Sequence, residues 1–464
     1  MLEIPNDIDI LKGLVTRLWG RTEQLEAEND KLRRENADLR RRLGLNSENS
    51  DKPPSSDGYG KKPVSPGIPK KKHEKGGQKG HEGKTLERVE TPDRAELHLP
   101  EQCDCCGRLF EVDESHEIVQ SRQVFDLPQP KLVVTEHRIG QIECCGKAHS
   151  GAYPVGINGP VQYGPGVRSL VTMLSVDNKM PLEQISCLFA DLYGYDLNSA
   201  TILETLNRGY QHTEELEEAT CAGLKKSEVV HFDETGVRVA EKLHWLHTAS
   251  TSNSTHLFIH EKRGQEALTS EKSVLKDFAG IAVHDCFSSY FTFEKPFHSL
   301  CGAHLLRELN GLKENGSLWA GQMHEFLLSL HDAQRPIAMA QGELLRQYQT
   351  LLQQADQEET PPQKGNRGRA KQSPGRNLLN RLRTHQDGVL TFALQAGVPF
   401  TNNQAERDLR PSKVKLKVSG CFRTVEGART YARIQAAIST FRKQDQNVFS
   451  SLRRLFSSPT PLIV

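Results

Sequence analysis

Three acidic residues in the second half of the chain have the setting that phosphodiester chemistry requires. Asp233 lies in Val229-Val230-His231-Phe232-Asp233-Glu234-Thr235-Gly236-Val237, Asp285 closes Gly280-Ile281-Ala282-Val283-His284-Asp285, and Glu406 sits in Asn402-Asn403-Gln404-Ala405-Glu406-Arg407. Each falls at the edge of an expected ordered element. Carboxylates converging from separate elements can hold two Mg²⁺ or Mn²⁺ ions roughly 4 Å apart, which stabilise the attacking and leaving oxygens of an in-line displacement. If the three meet in space, the chemistry is the cutting or joining of nucleic acid. Glu234 is set aside. Alternation along a strand sends it to the face opposite Asp233, and a second buried carboxylate without a cation would be costly.

The elements that must position these groups follow from periodicity. After Ser227 the apolar period becomes two, and 229–239, 243–249 and 255–260 read as three strands, with a hairpin turn at Glu241-Lys242. A helix is expected over 265–278, a short buried strand over 281–284 and another helix over 300–312. Three strands, helix, strand, helix is the order of a ribonuclease H-like domain, with Asp233 on the first strand and Asp285 ending the fourth. Asn402 or Asn403 can cap a helix carrying Glu406 in its first turn, with Arg407 and Arg410 close by. The plainer alternative for Glu406 is an exposed Glu-Arg helix pair. Helices such as 319–354 and a loose basic loop (360–376) fill the spacer before it. Lys413, Lys415 and Lys417 alternate with Val414, Leu416 and Val418 to suggest one basic face.

The chain has 464 residues, 36% hydrophobic and 26% charged, so about three domains are expected. No apolar run approaches the ~20 residues of a membrane helix, and the N-terminus lacks a secretory layout. A cytoplasmic location is expected. The net charge of +1 is uninformative, but its distribution is not. A basic block spans 61–88, including Lys61, Lys62, Lys70, Lys71 and Lys72; others span 364–383 and follow Glu406. Such blocks are commonly solvated tails, but beside paired carboxylates they suggest contacts to DNA phosphates.

Leu11, Leu18, Leu25, Leu32 and Leu39 recur every seven residues, with Asn29 and Asn36 at the companion position, the pattern of a parallel coiled-coil dimer. The alternative is one amphipathic helix packed on its own domain. Residues 46–95 are Gly-, Pro- and Lys-rich and read as a flexible arm. Cys103-Asp104-Cys105-Cys106-Gly107 and Cys144-Cys145-Gly146 flank an expected hairpin (122–127 with 131–138), a zinc-ribbon-like layout. Zn²⁺ would be held by Cys103, Cys106, Cys144 and Cys145, with Cys105 or His149 as alternative ligands; reduced structural thiols are the other reading. Pro181, Gly194 and Asn198 punctuate two helices with helix-turn-helix spacing, although generic packed helices give the same pattern.

The strings His231-Phe232-Asp233-Glu234-Thr235-Gly236, Ala282-Val283-His284-Asp285, Asn402-Asn403-Gln404-Ala405-Glu406-Arg407 and Ser419-Gly420-Cys421-Phe422-Arg423 resemble those of the insertion-sequence-66 transposases, bacterial DDE-type enzymes. The resemblance runs from the heptads to the tail. It implies that Asp233, Asp285 and Glu406 bind two catalytic Mg²⁺ ions and that the partner is double-stranded DNA, both terminal repeats and target. It also implies DNA strand cleavage followed by strand transfer, in the cytoplasm at the nucleoid. Relatives are often encoded beside small accessory proteins, which are possible further partners. The family tends to carry Cys301-Gly302-Ala303-His304 after the second Asp, so Cys301 and His304 are expected to support the site; a plain helical core contact is the alternative.

The expected architecture is multidomain, mixed α+β and α/β. It comprises a coiled-coil segment (1–45), a basic arm (46–95), a zinc-ribbon-like DNA-binding module (96–155), a helix-turn-helix-like region (156–225), the first part of a ribonuclease H-like core (226–315), a helical insertion (316–395) and the last part of the core (396–464). The rival from another class is a DNA-binding regulator whose carboxylates do no chemistry; a coiled-coil adaptor is a third.

Overall fold

The computed structural model describes residues 8–44, 85–111, 113, 115–333, 341–361 and 372–457. Its first helix, α1 (Ile8–Gly44), carries the heptads, and Leu18, Leu25 and Leu32 are exposed on it. The arm before residue 85, with Lys61, Lys62, Lys70, Lys71 and Lys72, lies outside the described residues.

The segment expected to form a hairpin over 122–138 forms no strand. Among the described residues, the two-stranded sheet of this region joins β1 (Gln141–Cys144) to β2 (Lys147–Ser150). The Gln123 side chain instead bonds the backbone of Val89, accepting from its N–H at 2.9 Å and donating to its carbonyl at 2.8 Å.

Four helices follow: α2 (Pro165–Thr172), α3 (Leu182–Tyr193), α4 (Ser199–His212) and α5 (Glu214–Lys226), with a π-helical turn over Met173–Asp177. The punctuation read from sequence acts as expected. Pro181 precedes α3, Gly194 ends it at φ 71°, and the Asn198 side chain caps α4 by accepting from the Ala200 N–H at 2.7 Å. Ile185, Phe189, Leu197 and Ile202 form the core of this pair with Val171 and Leu174.

The main sheet contains β3 (Val229–Val239), β4 (Lys242–Ser250), β5 (Thr255–His260), β6 (Ile281–His284) and β7 (Phe297–Leu300), in the order β5-β4-β3-β6-β7. β3, β4 and β5 are antiparallel neighbours, while β6 and β7 continue parallel to β3. The hairpin turn falls at Ala240-Glu241, both at positive φ (46° and 65°), the backbone of a two-residue turn suited to strand twist. β7 was not legible: of its four residues, Phe297–Leu300, only Leu300 fell in an expected element, the helix over 300–312. The helix expected over 265–278 shrinks to α6 (Gln265–Leu268) and a 3₁₀ turn at Leu275–Asp277. Thr269 and Ser270 donate their hydroxyls to the carbonyls of Gln265 and Ala267, which would serve a continuing helix.

Between β7 and the final helices stand α7 (Gly302–Glu314), α8 (Leu318–Asp332), α9 (Gln341–Glu358), α10 (Pro374–Thr384) and α11 (Gln386–Leu394). The expected helix over 319–354 is thus two helices. The insertion is not a satellite: Trp319, Met323, Tyr348, Leu378 and Leu390 share one core with Val283 of β6 and Leu300 of β7.

The chain then returns to the sheet through α12 (Asn403–Ser419), α13 (Val425–Lys443) and α14 (Val448–Ser457). Alternation along β3 divides the two faces. Val230 and Phe232 pack with Phe278 and Tyr290, whereas Val237 and Val239 pack under Leu409, Tyr431 and Ile434 of α12 and α13. A buried ion pair, Lys443 Nζ to Asp408 Oδ2 at 2.7 Å, ties α13 to α12. The mixed sheet-and-helix C-terminal region is compatible with a ribonuclease H-like transposase domain.

A consequence for stability follows from β4. Burial pushes His247 down to about 4, its ring stacked 4.9 Å from Phe258 and its Nδ1 without a hydrogen-bond partner among the described residues. Between pH 6.5 and about 4 the unfolded chain binds this proton and the folded chain does not, so stability falls as pH falls through that window. Up to ~3 kcal/mol is expected from this one group. Urea unfolding of His247→Phe should show a shallower decline from pH 6.5 to 4 than the parent; parallel curves would refute the assignment.

Candidate active site

β3 and β6 run parallel with Val229 opposite Ile281, Val230 opposite Ala282 and His231 opposite Val283. Continued two residues, that register sets Asp233 opposite Asp285, about 5 Å apart between backbones. Asp233, midway along β3, and Asp285, just past the end of β6, therefore lie side by side. Backbone amides orient both: Asp233 accepts from the Glu234 N–H at 2.8 Å and Asp285 from the Phe287 N–H at 2.9 Å. Burial, then the charges of Glu234 and Asp285, hold the Asp233 carboxyl well above the usual carboxylate range. No ion pair neutralises Asp233 among the described residues, and the charge next to Asp285 is Arg263, 3.9 Å away, so the carboxylates keep an excess of negative charge that a bound cation would relieve.

Glu406 approaches on a helix whose path is pinned at both ends. The Asn402 side-chain N–H donates to the Phe232 carbonyl at 2.7 Å, and its Oδ1 meets His231 Nδ1 at 2.9 Å. Seventeen residues of helix later, the Phe422 N–H donates to the Arg238 carbonyl at 2.9 Å. Thus α12 runs alongside β3 in the same direction. Glu406 lies ~6 Å along the helix from Asn402, and Asp233 lies ~5 Å along the strand from that same anchor, so the two are level. Asn402, Glu406 and Lys413 share a helix face, and Lys413 feels the charge of Asp233. Glu406 is half-buried there. Nevertheless, among the described residues no three His, Cys, Asp or Glu side chains come close enough to hold a metal ion. The carboxylates of Asp233 and Asp285 are of the type that could share a divalent ion, and among the described residues no third donor completes the group.

Asn402 begins α12 without a side-chain cap, because its amide is committed to β3. Its own N–H donates to the Cys301 sulfur at 3.1 Å, and the Cys301 N–H to the His284 carbonyl at 2.9 Å. Cys301 is therefore a buried junction joining β6, α7 and α12. Burial opposes charge on both Cys301 and His304, yet their mutual interaction prevails: the thiol is lowered and the imidazole raised to about 9. His304 also senses Asp285. Arg407 and Arg410 are exposed on α12, and Arg407 bonds Gln404 at 2.7 Å rather than a site carboxylate.

Several expectations change. Lys413, Lys415 and Lys417 do not form one face, because the segment is helical and residues two apart point about 200° apart. The alternating apolar residues Val414 and Val418 are exposed, while Leu409 and Leu416 pack on the sheet, so tertiary burial overrides the strand-like pattern. Lys415 senses Lys179 of the preceding helical region instead. The second cysteine pair is the tip of the β1–β2 hairpin, with Cys145 at φ 55°, Gly146 at φ 70° and adjacent sulfurs 3.6 Å apart. The first is a closed knuckle: the Gly107 N–H donates to the Cys103 carbonyl at 2.9 Å and amides of Cys106 and Cys105 lower the Cys103 thiol. Neither Cys103, Cys105 and Cys106 nor Cys144, Cys145 and His149 assemble into a metal-holding group among the described residues.

Sequence reasoning set Glu234 aside too quickly. It does face away from Asp233, toward the Tyr290 side, but it is fully buried and has its cation: Arg263 Nε donates to Glu234 Oε1 at 2.7 Å. The Tyr290 hydroxyl donates to the other oxygen. Arg263 Nη2 also lies 3.9 Å from Asp285 Oδ2. No periodic signal marks Arg263, which sits in the turn Lys262-Arg263-Gly264.

The fold and site thus define a mixed α/β domain in which an aspartate on β3 and one following β6 come side by side next to the helix that carries Glu406. The family described as Transposase IS66 family matches residues 160–430, more than half of the chain. The chain belongs to the IS66 transposase family. Residues 3–87 match a family of unknown function, DUF6444. No curated protein matches. Family membership suggests an enzyme acting on DNA in transposition, and DDE transposases usually use divalent metal ions. No described helix is long and apolar enough to cross a membrane.

Proposed function

We propose that this protein is a DDE-type transposase that binds the ends of its insertion sequence and catalyses metal-dependent strand cleavage and strand transfer, with Asp233, Asp285 and Glu406 as the metal-binding residues. The observation that carries this is the β3–β6 register, which pairs His231 with Val283 and, continued two residues, supports Asp233 and Asp285 as neighbours. Mg²⁺ or Mn²⁺ ions at the site would supply charge stabilisation to the attacking and leaving oxygens. Within the chain, amides of Glu234 and Phe287 hold the two carboxylates in orientation. Asn402 holds the start of α12 against β3, which supports Glu406, one turn further on, as the third carboxylate. Water first displaces the 3′ oxygen at the element's end, and the freed 3′-hydroxyl then displaces a 3′ oxygen in target DNA. Each step breaks one P–O bond and forms one, and no side-chain nucleophile is needed.

The test is cleavage of duplexes carrying the flanking inverted repeats by purified protein with Mg²⁺ or Mn²⁺. Binding without any cleavage, under either metal, would favour the regulator reading.

Self-association belongs to the same reading. The exposed Leu18, Leu25 and Leu32 of α1 form the seam that a second copy would cover. Leu25→Pro with Leu32→Pro should convert dimers to monomers in analytical ultracentrifugation, since each Pro costs about 3 kcal/mol inside a helix; an unchanged oligomer would refute the seam. Structural zinc at Cys103, Cys106, Cys144 and Cys145, with Cys105 or His149 as alternative ligands, has the closed Cys103–Gly107 knuckle as its support, and metal analysis of the purified protein, expecting roughly one zinc per chain, tests it. A cytoplasmic, nucleoid-associated location accords with action on DNA.

A further inference from the structure

Arg263 has two kinds of partner, and they differ in strength. Its guanidinium lies 4.0 Å from the Phe287 ring and 5.0 Å from the Trp245 ring. Its Nε bond to Glu234 at 2.7 Å is a charge-assisted hydrogen bond to a carboxylate only 1% exposed. The 3.9 Å approach to Asp285 is too long for a hydrogen bond. Aromatic faces and Glu234 therefore anchor the group, while the contact to Asp285 can be given up without moving the anchor. The Arg263 side chain is 39% exposed, so its remaining N–H groups are open to a ligand. A planar guanidinium fork matches the oxygens of a phosphodiester.

We propose that Arg263 is a positioning residue that stands in for a cation beside Asp285 until DNA arrives, and that a backbone phosphate of the bound DNA end then draws it away, so that metal loading is coupled to DNA binding. This rests on the reading of Asp233 and Asp285 as metal ligands. A fixed positive charge near a ligand carboxylate opposes a divalent ion there, and relieving that opposition by DNA binding makes the two events mutually reinforcing.

Mn²⁺ binding to the full chain, followed by electron paramagnetic resonance with and without an inverted-repeat duplex, tests this. Without DNA, Arg263→Gln should bind Mn²⁺ about tenfold tighter than the parent, and Arg263→Lys, which keeps the charge, should stay within about threefold. The duplex should tighten Mn²⁺ binding about tenfold in the parent and little in Arg263→Gln. A merely structural arginine gives the opposite sign, because losing it loosens Glu234 and weakens metal binding. Weaker or unchanged Mn²⁺ affinity in Arg263→Gln therefore overturns the proposal. Should that variant not fold, Glu234→Gln with and without Arg263→Gln makes the same comparison with no buried carboxylate left unpaired. Parent Mn²⁺ binding that is abolished by Asp285→Asn yet indifferent to Arg263 sinks this inference alone. Binding indifferent to Asp285→Asn sinks the metal-site reading and this inference with it.

Discussion

Asp233→Asn should lower metal-dependent strand cleavage by on the order of 10³-fold or more, about 4 kcal/mol in the barrier, while end binding persists. The substitution keeps shape: the Asn carbonyl oxygen can still accept the Glu234 N–H that Asp233 accepts at 2.8 Å. What it removes is one negative charge from a crowded group. Because burial and the charges of Glu234 and Asp285 hold the Asp233 carboxyl well above its usual range, its ionised form is a burden on the folded state. At neutral pH the variant should therefore be as stable as the parent or more so, even as activity collapses. This pairing of opposite signs separates catalysis from folding. Quantifying nicked inverted-repeat duplex beside a thermal melt checks both, and a variant that still cleaves would remove Asp233 from the chemistry.

Trp319→Ala should destabilise the chain by about 3–5 kcal/mol, the range for deleting a large buried aromatic. Trp319 is fully buried at the start of α8, among Leu305, Leu309, Met323, Tyr348 and Leu378. The same cluster includes Val283 and Leu300, so the lesion reaches the strand that precedes Asp285 and the one that precedes Cys301. Its indole N–H has no hydrogen-bond partner among the described residues, which trims the loss toward the lower figure. Urea unfolding gives the magnitude. Hydrogen exchange gives the location: protection should fall across α7–α11 and β6–β7 while α13 and β5, in a separate cluster, hold theirs. A loss under about 1 kcal/mol would mean the helical insertion is a loosely held appendage.

Much of the site was legible because local rules coincide with the fold. Period-two patterning located β3, β4, β5 and β6 nearly to the residue, and the glycine and asparagine at 194 and 198 acted as cap residues must. Where local and tertiary preferences conflicted, the sequence misled. Lys413–Val418 alternates like a strand yet is helical because α12 must bury Leu409 and Leu416 on the sheet. β7 reads Phe-His-Ser-Leu, without the apolar run that marks β6, and exists because it pairs with β6.

The amino-acid sequence alone determined the strands that carry Asp233 and lead to Asp285 and the helix that carries Glu406, since each rests on short-range patterning. Only the tertiary structure decided that Asp233 and Asp285 stand opposite one another, that Glu234 is buried with Arg263 as its counterion, and that Asn402 spends its side chain on β3 instead of capping its helix. Those three facts depend on partners 29 to 171 residues away. No local periodicity encodes such distances; strand register, desolvation and hydrogen-bond competition set them only once the chain has closed on itself.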